Sequence, residues 1–134
     1  MIVNYEGVEP TRGTPGSAGG DLISKHYRTI YPGGTAKIST GTKVAIPRGY
    51  VGLVFARSSL FEKRGLKLVN SVGVIDSDYR GEIILHVEND SGRRSNIESG
   101  DRLAQIVVVP CYMDAFVEAD LDDTGRGGFG STGQ

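Results

Sequence analysis

The sequence has one cysteine, two histidines, no long apolar run and no appreciable excess of either charge. Each shortage excludes something. With Cys111 alone, no disulfide can form within the chain, and a reducing cytoplasm is the expected setting. Coming after Val107, Val108, Val109 and Pro110, Cys111 is expected to be a small buried apolar side chain rather than a nucleophile. The longest apolar run, residues 106–110, is far too short to cross a bilayer. The N-terminus lacks a basic stretch followed by an apolar one, so the chain reads as soluble and unprocessed. Fifteen Lys and Arg are mixed with 16 Asp and Glu, which leaves no broad footprint for nucleic acid or an anionic membrane. A small anionic ligand would need a local pocket.

What is present points to β structure. The 134 residues fit one domain, and 20 glycines without long periodic apolar stretches favour many short strands joined by tight turns. Residues 35–46 alternate with a period of two, so one half-buried strand is expected there. Val51, Leu53 and Phe55 form a second alternating set, residues 66–69 a third strand, and Ile83, Leu85 and Val87 a fourth. Residues 103–109 are apolar on both faces except for Gln105, as expected of a strand in a sandwich core or against another subunit. The one expected helix covers residues 59–64 and ends at Gly65. The spacing of turns suits a sandwich or a jelly roll without choosing between them. Residues 120–134 hold one phenylalanine among many glycines and read as a mobile tail after a β domain at 1–119.

Five clusters of polar residues and glycine interrupt the strands: AGGDL at 18–22, ARSSL at 56–60, NSVGVIDSDYRGE at 70–82, GDRLAQ at 100–105 and GGFGSTG at 127–133. Read alone, each has a modest explanation. Asp21 is a loop aspartate after two glycines, and Ser58 suits a helix N-cap. Asp76, Asp78, Tyr79 and Arg80 fit a polar turn with Arg80 paired to a carboxylate, though a tight hairpin at this point would also hold a flat base. Gln105, the polar exception in an apolar strand, needs a hydrogen-bond partner if buried, because an unpaired amide costs about 1–3 kcal/mol. The glycines around Phe129, Ser131 and Thr132 offer close backbone amides suited to phosphate, or simply a flexible end. Neither His26 nor His86 falls in a motif that would activate a serine, so both are expected to be structural or exposed.

In order and spacing, the five clusters resemble the motifs of the trimeric dUTPase family over nearly the whole chain. That resemblance implies an all-β distorted jelly-roll barrel, a homotrimer with shared sites, and hydrolysis of dUTP to dUMP and pyrophosphate with Mg2+. It makes Asp76 the general base for the attacking water and Tyr79 the residue that excludes a 2′-hydroxyl. Asn70 and the backbone of Gly73, Val74 and Ile75 would read uracil. Arg57, Ser58 and Ser59 would meet the triphosphate, and Gln105 an α-phosphate oxygen or the water. Asp21 would act on magnesium through a coordinated water, in keeping with that ion's reluctance to lose its hydration. Phe129 would stack on the base while Gly130, Ser131 and Thr132 bind the γ-phosphate as the tail closes.

The sequence departs from the family pattern at three places. Ser59 replaces a usual glycine, Gly20 a bulky residue, and Thr124 the phosphate-binding arginine, for which Arg126 is the available substitute. The rivals are a dCTP deaminase, disfavoured by the stacking tail, and a regulatory protein that uses its nucleotide pocket to engage a protein partner. A regulatory partner is also compatible with the enzyme.

Overall fold

The alternating segments become strands, and every pairing among them is antiparallel. A computed structural model describes residues 1–128. In order these hold β1 (Asn4–Gly7), β2 (Gly20–Ile23), β3 (Arg28–Ile30), β4 (Thr35–Ser39), β5 (Thr42–Ala45) and β6 (Tyr50–Ala56). There follow α1 (Ser58–Arg64), β7 (Leu66–Leu68), β8 (Gly73–Ile75), β9 (Ile84–Asn89), β10 (Ser95–Ile97) and β11 (Arg102–Pro110). A four-stranded sheet runs β2-β11-β6-β8 and a three-stranded sheet β4-β9-β7, with two-stranded pairs β1-β5 and β10-β3.

The core lies between these layers. Leu22, Val54 and Ile106 come from the four-stranded sheet, and Ile38, Leu66, Leu85 and Val87 from the three-stranded one, all buried. Each such side chain contributes about 1.5–3 kcal/mol by leaving water. Asn89 is buried among them without cost in unpaired groups. Its amide donates to the carbonyls of Ile30 and Arg93, each at 2.8 Å, and its Oδ1 accepts from the amide and hydroxyl of Ser91.

The expected single strand over residues 35–46 is two strands. At Gly41 the backbone takes φ +70°, and a Cβ there would lie 2.9 Å from Cδ of Lys25. β4 then pairs with β9, while β5 pairs with β1. The break spans Thr40 and Gly41, an even number of residues, so the inward and outward alternation continues across it and conceals it.

The helix starts one residue earlier than expected. Arg57 holds the N-cap position without a side-chain bond, so Ser58 is helical rather than the cap. The helix ends as expected at Gly65, in the left-handed conformation.

Cys111 is exposed, contrary to the expectation of burial. β11 ends at Pro110, after which the Cys111 amide bonds the Gly49 carbonyl at 2.8 Å and the chain leaves the sheet. Residues 111–128 contain no strand or helix and present Tyr112, Phe116, Val117 and Leu121 to solvent.

The apolar β11 turns out to have two distinct faces. Leu103, Ala104 and Ile106 are buried, whereas Val107 and Val109 are half-buried on the opposite face, across from Leu53 and Val51 of β6. Phe55 and the exposed Val74 extend this outer apolar face. No helix among the described residues is long and apolar enough to cross a membrane.

Candidate active site

The segment 73–82 begins on β8, which pairs with β6 through Gly73↔Val54, Val74↔Leu53 and Ile75↔Gly52. β9, which follows, pairs with β4 and β7 instead. The expected tight hairpin is therefore a loop crossing from one sheet to the other. Local bonds shape it: the Tyr79 amide donates to the Asp76 carbonyl at 3.1 Å, and the Tyr79 hydroxyl to the Glu82 carbonyl at 2.8 Å. Arg80 donates to the carbonyls of Ser77 and Tyr79, and among the described residues it pairs with no carboxylate.

Two adjoining cavities open against this loop. The first, of about 120 Å³, is lined by Asn70, Gly73, Val74 and Ile75 together with residues of β6, β7 and β9, His86 among them. The second, of about 190 Å³, shares Val74, Ile75, Ile83 and Ile84 and adds Asp76, Tyr79 and Glu82. Narrow, mostly apolar walls with a few polar groups suit a flat heterocycle in the first and a sugar in the second. Sequence reasoning missed His86 here, because its place between Leu85 and Val87 on a strand gives no sign of what its face meets. His26 is exposed elsewhere.

Glu82 fastens the loop to the turn between β4 and β5. Its carboxylate accepts hydrogen bonds from the Ser39 hydroxyl and, at 2.7 Å, from the Gly41 amide. The Ser39 bond in particular holds the Glu82 carboxyl below its ordinary pKa of 4.5, against the opposing effect of burial; the Gly41 amide and the charges of Lys25 and Lys43 add to the lowering.

A polar cluster lies at the other end of the four-stranded sheet. Asp21 on β2 faces Gln105 on β11, which in turn faces Phe55. Nε of Arg57 stands 3.7 Å from Oδ1 of Asp21, and Nη1 of Arg102 3.6 Å from Oδ2. The Asp21 side chain is only 14% exposed, so its charge is balanced by two guanidinium groups in a partly dry setting. Arg102, across from Ile23 on β2, is brought to this carboxylate by the pairing of β11 with β2.

The hydroxyls of Ser58 and Ser59 lie at the start of α1 beside Arg57. Gln105 is half-buried, and its amide makes no hydrogen bond within the described residues yet is not closed off from solvent. A Cβ on Gly19 would sit 2.6 Å from Oε1 of Gln105, so glycine leaves that amide its space. Gly20 has an equally direct reason. A Cβ there would come within 2.8 Å of Pro10 Cβ and 2.9 Å of the Pro10 carbonyl oxygen, so Pro10 fills the room that a bulky residue would take.

The residues present suit a magnesium ion held mainly by a ligand's phosphates. Among the described residues no cluster of three or more His, Cys, Asp or Glu could cage a metal. Asp21, already between two cations, fits contact through a coordinated water better than direct ligation. Arg126 is exposed, and Phe129, Gly130, Ser131 and Thr132 lie outside the described residues.

The order of the clusters and their placement agree with one family. The family model for dUTPase matches residues 6–133. The chain belongs to the dUTPase family. Membership carries the enzyme class, dUTP diphosphatase. The chain is 51% identical over 130 residues to a deoxyuridine 5′-triphosphate nucleotidohydrolase of Desulfitobacterium hafniense, covering 92% of this chain and 86% of that protein. Among solved structures it resembles the dUTPase of Streptococcus mutans, with 33% identity, a TM-score of 0.77 and coverage of 83% and 98%. It also resembles the dUTPase from phage phi11 of S. aureus, with 25% identity, a TM-score of 0.84 and coverage of 92% and 99%. A mutant of that phage enzyme coordinates a structural Mg(II) ion. Sharing these dUTPase folds, the all-β chain fits the jelly-roll expectation.

Proposed function

We propose that three copies of the chain hydrolyse dUTP to dUMP and pyrophosphate, with each site assembled from several chains. The carrying observation is the separation of two half-sites on one sheet. Asp76 follows Ile75, which pairs with Gly52 of β6, whereas Gln105 pairs with Phe55 of β6 from the other side. Four residues along the strands and two strand spacings across place their backbones roughly 16 Å apart. A base and a phosphate-binding group that act on the same α-phosphorus work within a hydrogen-bond reach of about 3 Å. A closed ring of identical chains brings the two together without such a span, each giving its loop to one neighbour's phosphate cluster. The outer apolar face of Val51, Leu53, Phe55, Val74, Val107 and Val109 favours such assembly, since it needs cover.

In this reading uracil enters the smaller cavity and meets Asn70 and the backbone of Gly73, Val74 and Ile75. Cytosine exchanges the donor and acceptor positions, leaving buried groups unpaired, which can cost on the order of ten-thousand-fold in selectivity. Thymine's methyl is refused by close backbone. Tyr79 occupies the space of a 2′-hydroxyl.

Asp76 accepts a proton from water as the water oxygen bonds to the α-phosphorus. The bond from that phosphorus to the bridging oxygen breaks, and pyrophosphate leaves. Arg57, Ser58, Ser59 and Gln105 of a neighbouring copy hold the phosphate oxygens, with Asp21 oriented toward hydrated magnesium. When bound, that ion offsets negative charge on the triphosphate. Residues 120–134 form the lid of a third copy, with Phe129 over the base and Gly130, Ser131, Thr132 and Arg126 toward the γ-phosphate.

The test is pyrophosphate release from each of the four dNTPs and dUTP in magnesium. Release from dUTP alone is expected, with Asp76→Asn slower by roughly 100- to 10,000-fold, the usual loss for a general base. Comparable release from every nucleotide, or an unimpaired variant, rejects the assignment.

A further inference from the structure

We propose that Glu82 is a positioning residue for sugar selection, holding Tyr79 in place from the turn between β4 and β5. The inference rests on the reading of the second cavity as a deoxyribose site. Tyr79 can exclude a hydroxyl by overlap only if its ring cannot retreat, because a displacement of an ångström would make room. Its position is unpromising for that task. Tyr79 is 42% exposed on a loop that belongs to neither sheet, so strand pairing does not hold it.

The restraint comes instead from residues 81–83. The Tyr79 hydroxyl donates to the Glu82 carbonyl at 2.8 Å, so the far end of the ring is fixed only as well as residue 82 is fixed. Glu82 is fixed by its own side chain, which accepts from the Ser39 hydroxyl and the Gly41 amide. The next residue is fastened to the same turn: Oγ1 of Thr40 donates to the Ile83 carbonyl at 2.6 Å, and the Ile83 amide to the Thr42 carbonyl at 2.8 Å. Gly81 closes the arrangement from the other side. A Cβ at this position would lie 2.5 Å from the Tyr79 hydroxyl oxygen and 2.7 Å from Cζ, so the ring packs directly on bare backbone. Glu82 itself lines the cavity, and its carboxylate, turned to the Ser39 hydroxyl and the Gly41 amide, acts on the ring through a carbonyl and a phenol.

The readout is the ratio of kcat/KM for dUTP to that for UTP. Glu82→Ala is expected to lower this ratio about tenfold, the size set by losing a charge-assisted hydrogen bond. Glu82→Gln keeps an oxygen able to accept from both donors and is expected to retain most of the ratio. Ser39→Ala, which leaves Glu82 in place, should give an intermediate loss. A merely structural role would slow both nucleotides together and leave the ratio unchanged, and that result overturns the proposal. Should Glu82→Ala fail to fold, an unchanged ratio in Ser39→Ala overturns it equally. If the parent protein does not hydrolyse dUTP, the assignment of the pocket fails and the clamp with it. If the parent is active and selective while the variants match it, the clamp alone fails.

Discussion

At the scale of single residues, small side chains here are set by what stands opposite them. Gly20 is the clearest case, since Pro10 occupies the space its side chain would need. Gly20→Ala is expected to lower stability by about 1–3 kcal/mol through overpacking, seen as a lower denaturant midpoint with an unchanged slope. An unchanged midpoint would mean that the segment around Pro10 yields freely. Nothing in the sequence links positions 10 and 20, because their contact depends on the path of the intervening loop. The candidate site residues were more legible: Asp21 follows two glycines and Asp76 and Tyr79 lie between Gly73 and Gly81, whereas Arg57 and Asn70 drew their expected roles from the family resemblance alone. Arg102 and His86 were not legible, since each looks like an ordinary strand residue until its cross-strand neighbour is known. Cys111 misled because its apolar predecessors are buried on only one face, and the strand ends just before it.

At the scale of elements, period two located the strands and failed where a break conserves parity. Thr40 and Gly41 interrupt the strand without shifting its faces, and this concealed turn is the one that receives Glu82. The attachment is sensitive to acid. The folded-state pKa of Glu82 is lowered, so its contribution to stability is fully present above about pH 4.5 and is lost as pH falls through the lower folded value. Lys25, Lys43, Glu6 and His26 line the same space. The dUTP-to-UTP ratio should accordingly be steady from neutral pH down to about 4.5 and fall only at lower pH, as the carboxylate is protonated in the folded protein. A ratio that stays constant in acid, while the protein remains folded, would contradict the attachment.

At the scale of the whole molecule, the fold class was readable from turn spacing and glycine content, while a homotrimer with shared sites was expected from the resemblance of the five clusters alone. Register supports that proposal, with β6 standing between the strand that leads to Asp76 and the strand that carries Gln105. Subunit mixing tests it. Asp76→Asn and Arg57→Ala are each expected to be nearly inactive alone. Denatured together and refolded as an equal mixture, they should regain activity in roughly a quarter of sites, those pairing an intact loop from one parent with an intact phosphate cluster from the other. No recovery from a mixture that does re-form trimers would place both groups in sites built from a single chain.

The intervening strand also bears on how such a protein can diverge. In the proposed site, base choice would depend on the loop at the β8 edge of the sheet and phosphate handling on residues toward the β2 edge, so a mutation in one would seldom disturb the other. Nucleotide preference and reactivity are then separately heritable. A lineage can drift toward a different base while its hydrolytic machinery stays under unbroken selection.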